Sequence, residues 1–142
     1  MYQFELSNVS VEQAYPKALQ LMEDISSQFH FQDYEGIFSM SLYEIFSAVK
    51  NKDQQVDIEY LVDNQRVVFN ISFSEQENVL ENLSDESAFI LSKITDDFSY
   101  DIDNKIIAVL FHVKRQPVES RFETKFNNKE IEALLTKMSY EN

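Results

Sequence analysis

The chain has 142 residues, 44% of them apolar, with 12 Phe and 7 Tyr, which suits one domain with a substantial core. Its net charge is −13, it has no Cys, and it has a single glycine, Gly36, where average usage of about 7% would give about ten. This balance excludes disulfide and thiol chemistry, disfavours nucleic acid and anionic membrane surfaces, and leaves almost no glycine for a loop that cradles phosphate.

Alternation over Tyr2–Leu6 predicts a first strand. Ser10 followed by Gln13 is a capping-box pattern, and Ala14, Ala18, Leu21, Met22, Ile25 and Phe29 recur at helical spacing, which predicts a helix over 11–29. Pro16 falls inside that span and leaves a start nearer Tyr15 open. Asp33 is the candidate cap of a second helix, 34–51, whose apolar face is Phe38, Leu42, Ile45, Phe46 and Val49. Lys50 and Lys52 then stand near its C-terminus, where the helix dipole favours cations.

Two alternating runs follow, 56–61 and 67–73, joined by Asp63-Asn64-Gln65-Arg66, a hairpin loop because Asp and Asn tolerate turn geometry. Residues 74–85 are polar and acidic, anchored by Val79, Leu80 and Leu83, and predict a loop with one helical turn. Asp85 or Ser87 starts a third helix running to about 97, with Phe89 or Ile90, Leu91, Ile94 and Phe98 toward the core. A short strand over 99–102 and the turn Asp101–Asn104 lead into 106–113, IIAVLFHV, whose unbroken apolar run reads as a strand covered on both faces or central in its sheet. Beyond the break at Pro117, residues 121–126 read as a short extra strand. Asn127 with Glu130 caps a last amphipathic helix over 128–139, carried by Ile131, Leu134, Leu135 and Met138.

The expected fold is α/β in the α+β sense: a two-layer sandwich, with three helices on one face of a mixed, mainly antiparallel sheet. Residues 1–114 form the domain and 115–142 a C-terminal extension. Charge marks the same division: residues 1–113 carry 6 Lys/Arg and 20 Asp/Glu, a net of −14, and residues 114–142 carry 6 and 5, a net of +1. The acidic field serves solubility or steers the chain toward a basic protein partner. No run of 18 apolar residues is present, and MYQFELSNVS has neither a basic nor an apolar leader region, so the expectation is a cytoplasmic protein without a membrane span.

This order of apolar segments resembles the histidine-kinase-type ATPase superfamily and, within it, the small anti-sigma factor serine kinases of bacteria, over residues 2–114. That family carries a pattern like E-x-x-x-N-A on its second helix, the Glu serving as base or water-orienting group and the Asn holding Mg²⁺. With the Ala of the motif on Ala48, the Asn position falls on Ser47 and the Glu position on Tyr43; Glu44 stands one residue away, about 100° around the helix. The adenine-reading Asp of the family's D-x-G-x-G stretch falls on Phe73, and no glycine follows. The glycines of a G-x-G-L stretch fall on Asp85 and Ser87. The rhythm of 89–100 then matches the family again.

The resemblance therefore implies a retained scaffold with its ATP positions substituted, a pseudo-ATPase. ATP brings roughly four negative charges, which need Mg²⁺, glycine amides or Lys/Arg to offset them. Glu75, Glu77, Glu81, Asp85 and Glu86 stand where phosphates would sit. The expected function is a non-catalytic signalling adaptor that binds a regulatory protein: a sigma factor, an anti-sigma antagonist or a phosphatase. No catalytic residue, cofactor or metal is assigned to it, and a homodimer through the first strand and helix is implied by analogy.

Other constellations give the competing readings. A divergent ATP-binding serine kinase or ATPase would use Glu44 and Glu75. A phosphotransfer protein would use His30. A sensor would take a neutral, apolar small molecule in the altered cleft, where Phe73 plugs the adenine position. His112 reads as a core-edge or surface residue. Asp96, Asp97, Asp101 and Asp103 lack the Gly turn and closing Glu of a calcium loop and read as a solvated turn; Asp96, Asp97 and Asp101 also form a candidate acidic docking edge.

Overall fold

The computed structural model describes residues 1–75, 79–101 and 103–113. Strand β1 (Tyr2–Ser10) leads into helix α1 (Val11–Phe29), and a 3₁₀ turn (Gln32–Tyr34) leads into α2 (Glu35–Ser47). The hairpin β2 (Gln55–Val62) and β3 (Arg66–Phe73) follows. A second 3₁₀ turn (Val79–Asn82) then precedes α3 (Asp85–Ile94), β4 (Asp97–Asp101) and β5 (Ile106–His112). The sheet order is β1-β2-β3-β5-β4, and every pairing among the described residues is antiparallel. This is a two-layer α+β sandwich. The strand expected over 121–126, the last helix over 128–139 and the extension 115–142 lie outside the described residues.

The first helix begins where the capping box places it. Ser10 accepts the Gln13 amide at 3.4 Å, and the Val11 and Glu12 amides, which have no partner inside the helix, donate to the carbonyls of Gln54 and Lys52 at 3.0 and 3.1 Å. Pro16 therefore lies inside α1, exposed, because the first turn is held by the neighbouring chain as well as by its own cap. The second helix departs from expectation at both ends. Asp33 belongs to the 3₁₀ turn, and Tyr34 occupies the cap position without a side-chain bond. α2 stops at Ser47, short of 51, since the Ala48 and Val49 amides turn back to Ile45 and Phe46 at 3.2 Å. Lys52 acts as its position near the dipole suggested, donating to the Phe46 carbonyl at 2.5 Å.

The hairpin closes on Asp63. One carboxylate oxygen accepts the amides of Gln65 and Arg66 at 2.8 Å each, and the other meets the Arg66 guanidinium at 3.3 Å. The Gln65 amide first, then the Arg66 amide and guanidinium, hold this carboxyl below the usual carboxylate range. α3 begins at Asp85 behind a Ser84 cap and ends at Ile94, earlier than expected. There the Thr95 amide and hydroxyl both turn back to the Leu91 carbonyl, and Asp96 already donates to Leu110 on β5.

Alternation decides which face of each strand meets the helices. Ile58, Tyr60, Val67, Phe69, Ile71, Ile107, Val109 and Phe111 point to the inner face and are buried. The Tyr60 hydroxyl donates to the Ala18 carbonyl at 3.1 Å, which seats α1 on β2. Phe38 of α2 meets Phe69 at 5.7 Å and Phe111 at 4.9 Å, both edge to face, and seats α2 over the centre of the sheet. Leu91 and Ile94 bring α3 into the same cluster. No helix among the described residues is long and apolar enough to cross a membrane.

Candidate functional site

The five positions on which the resemblance lays the ATP motifs, Tyr43, Ser47, Phe73, Asp85 and Ser87, do not gather at one place. Tyr43 and Ser47, one turn apart on α2, turn toward α1. With Val11, Glu12, Tyr15, Phe46 and Lys52 they line an open groove of about 400 Å³. Tyr43 meets Tyr15 edge to face at 5.7 Å, and the Tyr15 and Ser39 hydroxyls are 3.1 Å apart. Ser39 in turn lines a second groove of about 480 Å³ over the other end of α2, with Leu19, Met22, Glu23, Gln32, Glu35 and Gly36. Burial, and then the charge of Glu23, raise the Glu35 carboxyl above its ordinary range.

Phe73 is the last residue of β3 and 4% exposed; it sits in the core, paired in register with Val56. Asp85 and Ser87 belong to the first turn of α3. Ser87 reaches α2 through Glu44. Its hydroxyl donates to Glu44 Oε2 at 2.5 Å, while the Ser84 hydroxyl donates to Ser87 Oγ and accepts the Ser87 amide, both at 3.0 Å. Glu44 is 3% exposed.

A helix N-terminus offers unpaired amides and positive potential to an anion. At α3 that potential already faces three carboxylates, those of Asp85 and Glu86 in the first turn and Glu44 across the helix pair. Glu75, beyond β3, is tied to the segment between α2 and β2: Asn51 donates to its carboxylate at 2.6 Å, and its amide donates to Gln54 at 3.3 Å. The α2–α3 junction is thus closed by hydrogen bonds and negative in charge.

Glu44 is the residue whose partner spacing alone did not reveal. It is bracketed by Leu42 and Ile45, and nearly every residue of α2 from Ile37 to Phe46 is buried, so no polar face is left for an isolated carboxylate. A charged residue in such a helix must meet a donor on a neighbour. The sequence signals that requirement but does not name Ser87 as the donor.

No family model matches the chain, and no curated protein matches it.

The two histidines are far apart in sequence and belong to different elements. His112 is an exposed residue at the end of β5 whose amide donates to Asp96 Oδ2 at 2.6 Å. His30 closes α1 in the left-handed region, at φ 63° and ψ 43°, so that the Phe31 amide returns to the Ser26 carbonyl at 2.8 Å. Glycine is the usual residue there, and another residue in that conformation costs about 1–2 kcal/mol. His30→Gly is expected to raise the unfolding free energy by about 0.5–1 kcal/mol after the extra freedom of an unfolded glycine is deducted. A urea titration reads this directly, and a loss of stability would mean that the imidazole itself makes a structural contact.

In the acidic turn, Asp101 accepts the amides of Asp103 and Asn104 and the Asn104 side chain, at 3.1, 3.2 and 2.7 Å. The Asn104 side chain first, then the turn amides, hold its carboxyl below the usual range. Among the described residues no three His, Asp or Glu side chains converge as a metal site would require.

Proposed function

We propose that this chain is a non-catalytic adaptor that binds a regulatory protein, built on a degenerate histidine-kinase-like ATPase fold. The observation that carries the reading is the closed α2–α3 junction. The resemblance would put phosphates near the start of α3, and there a buried Glu44 is bonded to Ser87, beside Asp85 and Glu86. Counted from Glu44 instead of Tyr43, the E-x-x-x-N spacing ends on Ala48, whose methyl group cannot hold a cation. In either register the Mg²⁺ ligand is missing, and a triphosphate would meet carboxylates of its own sign.

What the fold leaves for recognition is its helical face. Tyr43 is 38% exposed beside Tyr15 and Phe46, and Phe89 on α3 is 48% exposed, with the Lys93 ammonium 5.6 Å from its ring centre. Exposed aromatics on an acidic body suit a partner with basic and apolar surface. A sigma factor, an anti-sigma antagonist or a phosphatase is the class that the resemblance supplies, bound stoichiometrically and without phosphoryl transfer. A cytoplasmic location goes with the same reading.

Isothermal titration with Mg-ATP and Mg-ADP tests it. The expected result is no heat and no thermal shift at millimolar nucleotide. Affinity in the micromolar range would overturn the reading in favour of a divergent kinase or ATPase. On the positive side, a partner co-purified at fixed stoichiometry is expected to be lost on Tyr43→Ala or Phe89→Ala with the fold intact by circular dichroism.

A further inference from the structure

The outer face of the sheet, away from all three helices, is not uniformly polar. Register places Leu61, Val68 and Leu110 side by side across β2, β3 and β5, with Ala108 and Ile106 continuing along β5. All five are half-buried. Glu5 and Glu59 border this patch on one side, Asp57 stands across Ser72 from Ile106, and Asp97 and Asp101 border it on β4. β5 is the clearest case. Ile107, Val109 and Phe111 are buried under the helices, yet Ile106, Ala108 and Leu110 alternate with them and are apolar too. A strand with a single covered face alternates apolar and polar, as β2 does with Asp57 and Glu59; an unbroken apolar run belongs to a strand covered on both.

We propose that residues 128–139 dock on this outer face of the chain's own sheet, over Leu61, Val68, Leu110, Ala108 and Ile106. The occupant has the right chemistry. Ile131, Leu134, Leu135 and Met138 fall on one side of a helical pattern. Residues 1–113 carry a net of −14, whereas 128–139 carry two Lys and two Glu, so the occupant adds no negative charge to an acidic rim, and the connecting residues 114–127 carry four Lys/Arg against two Glu. It also has the right reach. β5 is an inner strand that ends at His112, and the Val113 amide donates to Gln65 in the hairpin loop, so the chain leaves at the β2–β3 end of the patch. Residues 114–127 can span up to about 45 Å. Twelve residues in helical conformation would be about 18 Å long, close to the roughly 19 Å width of five strands. Docking in cis needs no second chain and leaves the helical face free.

Thiol labelling tests the proposal on the full chain, which has no cysteine of its own. Val68→Cys is expected to react slowly with a maleimide, at a rate independent of protein concentration. Adding Leu134→Glu and Leu135→Glu should raise that rate about tenfold or more, because the local cover is then released while the core is untouched. Equal rates with and without the two glutamates would overturn the proposal. Protection that grows with concentration, together with a dimer mass by sedimentation, would also overturn it and assign the face to a second copy. A reciprocal measurement guards against a local effect of the label: Leu110→Lys should speed tryptic cleavage at Lys125 and Lys129 about fivefold or more, with circular dichroism unchanged. An unchanged cleavage rate counts against docking in the same way.

Discussion

Phe38→Ala is expected to lower the unfolding free energy by about 3–5 kcal/mol, the largest single loss among the substitutions considered. Phe38 is fully buried, stacks on Tyr34 at 6.0 Å, and meets Phe69 and Phe111 edge to face. Its ring is the contact that joins α2 to the two strands at the centre of the sheet. Truncation removes the transfer free energy of the ring and leaves a cavity that rigid neighbours on β3 and β5 cannot fill. A domain of this size holds about 5–15 kcal/mol in all, so the variant should melt about 10–15 °C lower and shift its urea midpoint without changing the slope. A loss under about 1 kcal/mol would show that α2 does not rest on the sheet through this ring.

The second large effect concerns the junction of α2 and α3. Ser87→Ala is expected to cost about 1.5–3 kcal/mol, because Glu44 is buried and loses a hydroxyl donor in a place water does not reach easily. Glu44→Met should also destabilise, since Ser87 then loses its acceptor. The double variant should cost less than the two single losses together, with a coupling of about 0.5–3 kcal/mol, as apolar groups replace both partners. A double-mutant cycle by urea denaturation measures that coupling. Strict additivity would mean that the two side chains do not interact, and the closed junction on which the functional proposal stands would lose its main support. The experiment is thus informative about function without any knowledge of the partner.

Much of the fold was legible in local pattern. The capping box at Ser10 set the start of α1, the hairpin residues Asp63–Arg66 set the β2–β3 turn, and period-two alternation set which side of each strand is buried. The misjudged boundaries have a common cause. Asp33 resembled a cap because Asp is a good one, but the turn from His30 to Tyr34 was already organised by the left-handed close of α1. α2 ended early because the Ala48 and Val49 amides bond to Ile45 and Phe46, and α3 because Thr95 turns extended and the Asp96 amide pairs with Leu110; apolar spacing reports neither. The site was less legible. Its substituted positions were visible one by one, but Tyr43 and Ser47 turn toward α1 and Glu44 toward α3, a rotation of about one residue that only the packed helices fix.

By itself the sequence determined the class of fold, the order of its elements, the acidic field and the lack of glycine amides for phosphate. These depend on periodicity and composition, which act over a few residues or over the whole chain. The tertiary structure decided the antiparallel order β1-β2-β3-β5-β4, the Glu44–Ser87 bond across 43 residues, and the apolar patch shared by β2, β3 and β5. Each joins residues distant in sequence, whose meeting is set by how helices and strands pack as bodies rather than by any local preference.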